Sequence, residues 1–142
     1  MANLSARHAE PSAAIYPLAH YQRGIWLGVQ SRPDGSDYNM VYPLRICSAL
    51  QVDALRQALQ RLVNRHAILR TTYPTVNGEP VQRVQPWQAV AFQQVDGTHW
   101  SPEQVQQWAN AATGEPYDLA QGPLFRAKLL ACAPADHLLL LL

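Results

Sequence analysis

Asn64-Arg65-His66-Ala67-Ile68-Leu69-Arg70-Thr71-Thr72-Tyr73 is the stretch on which the fold turns. Upstream of it, Leu55, Leu59, Leu62, Val63 and His66 recur at helical spacing, with Arg56, Gln57, Gln60 and Arg61 on the opposite side. Downstream of Leu69 the composition shifts to Thr, Tyr and Val, residues that suit a pleated, half-buried surface. The ten residues therefore form a helix-to-strand corner. They predict a helix capped by Asp53 and a strand over residues 69–73. Two arginines and a histidine sit beside an apolar pattern, so each needs water or a partner.

On the C-terminal side of the corner, Asn77-Gly78 is a strong hairpin turn signal, and residues 81–84 return as a strand. Pro86-Trp87 interrupts the pattern, and residues 89–95 read as a further strand. Ser101-Pro102-Glu103-Gln104 starts a helix: a cap, a proline in the first turn and a glutamine three residues after the serine. Val105, Trp108, Ala109 and Ala112 form its inner face, and Gly114 is its expected stop. Residues 124–131 alternate as a strand, with Leu124, Arg126, Lys128 and Leu130 on one side and Phe125, Ala127, Leu129 and Ala131 on the other. After the turn at Pro134-Ala135-Asp136, the five leucines of residues 138–142 read as a strand buried on both faces. A chain that stops inside such a strand looks cut, and a continuation is expected.

Toward the N-terminus, Pro17 suits the first turn of a helix whose face is Leu18, Tyr21, Ile25 and Val29, widened by Trp26. The cluster at residues 33–37 ends that helix. Gly24 lies in its middle, where glycine costs ~1 kcal/mol against alanine. Either that cost is tolerated, helices pack closely there, or the glycine thins the wall of a tunnel. Residues 38–46 read as a strand, and Pro43 puts it at an edge.

The bulk numbers bound the function. The chain has 142 residues, 48% of them hydrophobic, enough for one core. A net charge of +1 argues against nucleic acid as a partner. No apolar run approaches the ~18 residues of a membrane span, and residues 1–14 lack the apolar core of a secretion signal, which suggests a cytoplasmic protein. Cys47 and Cys132 form neither a disulfide framework nor a zinc pattern, and His8, His20, His99 and His137 have no ligand spacing. His66 is better read as a capping or core residue than as half of a dyad with Cys47. No Gly-rich phosphate loop follows a strand. Taken alone, the residues describe an α+β lobe without an assembled active site.

Four stretches, in order along the chain, resemble the condensation domain of nonribosomal peptide synthetases, of the chloramphenicol acetyltransferase-like superfamily. They are residues 18–26 with Gln22 and Trp26; Asp37-Tyr38-Asn39; Arg65 through Tyr73 of the corner; and Tyr117-Asp118-Leu119 with Gly122-Pro123-Leu124-Phe125-Arg126. Two departures stand out. Many members carry arginine where this chain has Gly24, and serine or alanine where it has His20 and Tyr21, so the subtype is not legible there.

The resemblance implies a two-layer helix/sheet lobe, the N-terminal half of the fold, over residues 16–142 behind a flexible leader of residues 1–15. It implies that the catalytic His-His-x-x-x-Asp-Gly follows Leu142, so that the chain holds no catalytic residue and is inactive by itself. Arg65 and Arg70 would brace that segment, and His20, Arg23 and Gly24 are channel candidates. No metal and no directly bound cofactor is implied; substrates ride on the phosphopantetheine of carrier proteins. The implied partners are acyl or peptidyl carrier domains, the C-terminal lobe and a downstream adenylation domain. The intact domain would join an acyl or peptidyl thioester to an aminoacyl thioester. Because the ordered part begins close to Met1, a starter domain using a fatty acyl-CoA is an alternative. A non-catalytic lobe that binds carriers is another.

Overall fold

Four leucines and an alanine whose side chains lie within 4% of complete burial mark the centre of the molecule: Leu59, Ala127, Leu129, Leu139 and, on the opposite face of the same sheet, Leu140. The computed structural model describes residues 13–32 and 36–142. The leader expected over residues 1–15 falls outside them up to residue 12, as do residues 33–35 of the turn cluster expected at 33–37. Residues 14 and 15, assigned to the leader, instead belong to a strand, β1 (Ala14–Pro17).

The elements that follow β1 are α1 (His20–Ser31), β2 (Tyr42–Ile46), α2 (Val52–Arg65), a 3-10 turn (Ala67–Arg70), β3 (Thr71–Thr72), β4 (Thr75–Val76), β5 (Glu79–Val84), β6 (Ala91–Asp96), α3 (Pro102–Gly114), β7 (Arg126–Ala133) and β8 (Asp136–Leu141). The main sheet runs β2-β8-β7-β6. Within it β6 and β7 pair in parallel, with α3 as their crossover, and the other pairs are antiparallel. A smaller sheet places β5 between β1 and β3, with β4 also on β5.

The register sorts the side chains. Ala127 faces Leu141 and Leu129 faces Leu139 across the β7–β8 pair, and this face is covered by Leu55 and Leu59 of α2. Lys128 and Leu130 point to the other face. There Glu115, just past α3, holds Lys128, and the Trp100 ring before α3 lies near Gly97 and Leu130. Trp100 meets Trp108 edge to face at 6.4 Å. The leucine run is thus buried on both sides, as its composition demands. Pro43 sits on β2, an edge strand, where a missing donor does no harm.

Several expectations need correction. Pro17 ends β1 rather than opening a helix; it pairs with Val81, and its carbonyl accepts the Gln82 amide at 2.9 Å. α1 starts at His20, where Gln22 reaches back to the Ala19 N–H at 2.7 Å. Asp53 lies in the first turn of α2, and the cap position is Gln51. From that turn its carboxylate complements the helix dipole. Only residues 42–46 of the strand expected over 38–46 are extended in the sheet. The segment before them is diverted by Asn39, whose amide donates to the carbonyls of Thr113 (2.8 Å) and Glu115 (2.9 Å).

The corner also differs. Residues 67–70 continue as a 3-10 turn before a strand of two residues. Local bonds hold it: Leu69 N–H to the His66 carbonyl (3.0 Å) and the Thr71 hydroxyl to the Ala67 carbonyl (2.8 Å). His66 is the C-cap of α2 and is exposed. Two signals act as read. Asn77 (φ 51°) and Gly78 (φ 84°) make the hairpin between β4 and β5, and Ser101 with Gln104 forms a reciprocal cap on α3.

Candidate functional site

The apolar face of α1 does not enter the core. None of its residues is buried, and Tyr21 and Ile25 remain 70% and 41% exposed. They look instead into a depression of three adjoining cavities of about 270, 260 and 440 Å³. The first lies between α1 and the chain end, walled by Ile25, Val29, Met40, Leu124 and Leu142. The second shares Ile25 with it and adds Tyr21, Trp26, Ile68 and Tyr73. The third joins both through Met40, Ile68, Tyr73, Leu124 and Leu142.

Local structure explains each wall. α1 approaches the segment after it because Gly28 has no side chain: a Cβ there would stand 2.5 Å from the Tyr38 hydroxyl. Asn39 pins that same segment to the end of α3. The Tyr73 N–H donates to the Leu119 carbonyl at 2.6 Å, which ties the corner to the segment before β7. Arg126 and Leu142 exchange both backbone bonds, at 2.8 and 2.9 Å, so the end of β8 is fixed at the mouth of the first and third cavities. The Arg126 guanidinium lies 4.1 Å from the centre of the Tyr117 ring.

Few polar groups face this space. Burial pushes the Tyr73 hydroxyl above its ordinary range, and the neighbouring Tyr21 adds to that, against a hydrogen bond from Gln22. Burial does the same for Tyr117, opposed by the Arg126 charge. Both phenols therefore stay neutral near pH 7. No group of three or more His, Cys, Asp or Glu that could hold a metal occurs among the described residues. The depression can bind an elongated apolar or neutral group, but the described residues bring no nucleophile and base together in it.

The residues singled out by sequence take different places. Arg65, the last residue of α2, is exposed and makes no ion pair among the described residues. Arg70 is spent on the corner itself: its Nε donates to the Gln85 carbonyl (2.8 Å) and an Nη to the Asn64 carbonyl (3.5 Å). His20 and Arg23 line a separate cavity beside β1 and β5, where Arg23 pairs with Glu79. Gly24 meets no atom within 4 Å of an added Cβ and borders none of these cavities. The side of α1 that faces the depression is the one bearing Tyr21, Ile25 and Val29. The sequence marks this stripe but not what it faces, because an apolar stripe reads the same whether it meets a core or a groove. Met40 carries no signal of its own, and Tyr117 and Leu124 are marked only as part of the stretch before β7 that resembles the family.

Comparison with known proteins bears on what this depression is. The model of the condensation domain family matches residues 12–142. Tyrocidine synthase 3 of Brevibacillus parabrevis is 34% identical over 126 residues, 89% of this chain and 2% of that protein. Bacitracin synthase 2 of Bacillus licheniformis is 32% identical over 130 residues, 89% of this chain and 5% of that protein. Among solved structures, a four-domain nonribosomal peptide synthetase bound to AMP and glycine superposes with a TM-score of 0.85 at 21% identity, over 97% of this chain and 11% of that one. The starter condensation domain of rhizomide synthetase gives 0.82 at 28% identity, over 90% of this chain and 33% of that one. The chain therefore spans a small part of its relatives, and within that part it belongs to the condensation domain family of nonribosomal peptide synthetases.

Proposed function

We propose that this chain is the N-terminal lobe of a condensation domain and that its apolar depression is one wall of the substrate channel. The observation that carries the reading is the position of Leu142. It is paired with Arg126 and lines two of the three cavities. Strand side chains alternate, so the second residue past Leu142 would share its face, about 7 Å further along. If His-His-x-x-x-Asp-Gly follows directly, its second histidine looks into the space walled by Ile25, Val29 and Met40.

In the proposed reaction the amine of an aminoacyl thioester attacks the carbonyl of an acyl or peptidyl thioester. The C–N bond forms, the C–S bond breaks, the upstream carrier leaves as its thiol and the amine loses a proton. Thioester aminolysis needs little activation, so alignment and proton management carry the catalysis. The residues of this chain bind and align; they exclude water with Tyr21, Ile25, Met40 and Leu124. Arg65, whose guanidinium has no carboxylate partner among the described residues, would hold the aspartate of the following segment. Arg70 supports it indirectly by fixing the corner. The partners are carrier domains, the C-terminal lobe and a downstream adenylation domain, all working in the cytoplasm.

A second reading is a starter domain that acylates the first amino acid from a fatty acyl-CoA. The likeness to the starter domain of rhizomide synthetase at 28% identity favours it, and a mutant of that domain has been solved in complex with C8-CoA. The test uses the intact domain with a carrier-bound aminoacyl acceptor and, in turn, a peptidyl-carrier or an octanoyl-CoA donor. Amide product from the first donor supports the elongation reading, and from the second alone the starter reading. Product from neither leaves a carrier-binding lobe without catalysis. Product made by the 142-residue chain alone would overturn the division of labour proposed here.

A further inference from the structure

Charge is segregated along this nearly neutral chain. Residues 54–95 hold five arginines and one acid, Glu79. Glu79 is taken by Arg23 of α1. Arg56, Arg61, Arg65, Arg70 and Arg83 therefore face no carboxylate within 4 Å among the described residues, while every other arginine described has one. The fold gathers these residues. α2 leads into the 3-10 turn, and the Gln85 carbonyl at the end of β5 is bonded to Arg70.

Internal duties account for part of the set. Arg56 stacks over Phe92 at 5.1 Å, Arg70 satisfies two carbonyls, and Arg65 suits the negative end of its helix. Arg61 has no such duty among the described residues. It stands one turn from Arg65 on the exposed side of α2, a like-charge spacing that weakens a helix. Two large apolar side chains on segments joined to α2 are left in solvent: Ile68, in the 3-10 turn that follows the helix, at 59% exposure, and Trp87, next to the Gln88 that Gln60 bonds, at 64%. Trp87 is not on a loose loop. Gln60 of α2 donates to the Gln88 carbonyl at 2.9 Å and accepts from the Val90 N–H at 2.8 Å. A tryptophan on a backbone tied to α2, together with arginines that face no carboxylate among the described residues, has the composition of a binding hot spot rather than of a solvated face. Ile68 also lines two cavities of the apolar depression, so the patch borders the proposed channel.

We infer that the exposed side of α2 with Trp87 and Ile68 is a docking surface for an acidic protein face. Resting on the function proposed above, the partner is the carrier domain that delivers a thioester into the adjoining depression. Arginines would steer and orient the carrier, and Trp87 and Ile68 would supply the desolvated contact. The small net charge of the whole chain, +1, does not favour a polyanion such as nucleic acid.

The test compares, in the intact domain, each substrate on its carrier with the same group on N-acetylcysteamine, a thioester without a carrier. The variants are Arg61→Glu and Trp87→Ala, with thermal melts to show that both fold. The expected result is a KM for one carrier-bound substrate raised about tenfold or more, and a flatter salt dependence for Arg61→Glu. kcat and the KM of the carrier-free thioester should stay as in the parent. An unchanged KM for both carriers overturns the docking surface, and so does equal weakening with and without a carrier. If the parent domain turns over neither form, the proposed function fails instead.

Discussion

The two halves of this lobe solve the problem of burying leucine and isoleucine in opposite ways. In the main sheet, Leu129, Leu130 and Leu140 are sealed between α2 on one face and the elements around α3 on the other. Across the depression, α1 carries an equally apolar stripe and buries none of it. It is held by polar and edge contacts: Gln22 to Gln82, Arg23 to Glu79, and the Tyr38 hydroxyl at Gly28. Apolar periodicity in this chain thus marks a surface to be covered, and does not say by what. One stripe is covered by its own sheet, and the other faces the open depression.

The largest test of that contrast sets Leu129→Ala against Ile25→Ala. Leu129 is fully buried, and the substitution is expected to cost ~3–4 kcal/mol, read as a lowered melting temperature. Ile25 is 41% exposed, and its loss should cost less than about 1 kcal/mol. Similar losses at the two sites would mean that α1 packs as core. The next test concerns charge on the sealed side. Glu115 serves both Lys128 and Arg126, and the Lys128 side chain is only 10% exposed. Glu115→Gln strands that ammonium and should cost ~1–2 kcal/mol, a range reduced because Glu115 itself is half in water. A melt unchanged by the substitution would show that Lys128 reaches solvent unaided.

Two glycines of α1 probe the open side more finely. Gly24→Ala meets open space and should stabilise the helix by ~0.5–1 kcal/mol. Gly28→Ala has to push the Tyr38 ring aside and should gain nothing or lose ~0.5 kcal/mol, while altering binding in the first cavity. Equal gains at both positions would remove Tyr38 from the wall. The smallest effect is expected at the exposed Arg45–Asp136 pair. Hydrogen bonds from Arg45, and its charge, hold the Asp136 carboxyl below the ordinary carboxylate range. The stabilisation is then present above the range where an unfolded aspartate titrates, and it fades as pH falls through the depressed value. Asp136→Asn should flatten that acid limb by slightly lowering the neutral side, the two stability profiles converging at low pH. An identical acid limb in the variant would exclude the pair as its source.

Much of this is legible from residue types. The buried double-faced strand follows from five consecutive leucines, the α3 start from Ser101 and Gln104, and the β4–β5 hairpin from Asn77-Gly78. These signals are local, and nothing elsewhere in the chain competes with them. The failures have long-range causes. Pro17 becomes the end of a strand because β5, over sixty residues later, offers it a partner. Residues 38–41 leave the sheet because Asn39 finds the end of α3. The walls of the depression come from α1, the corner and the segment around Leu124, and no single window of sequence contains them. The 3-10 turn is hidden for a smaller reason: Ala-Ile-Leu-Arg suits a helix or a strand, and one bond from Leu69 decides it.

The order of strands in the main sheet governs how the lobe is made. β8 lies between β2 and β7, yet it is synthesised after every other strand of that sheet. Leu44 must wait for Leu139, some ninety-five residues later, before its strand has any partner. Until then β2 is an unpaired ribbon, and the β7 side of the sheet is open along one edge. Closing so long a loop makes folding slow, and the nascent chain exposes hydrogen-bonding edges while it waits. Among the described strands, then, the one that joins β2 to β7 is the last to leave the ribosome, and the two sides of the sheet cannot meet before it does.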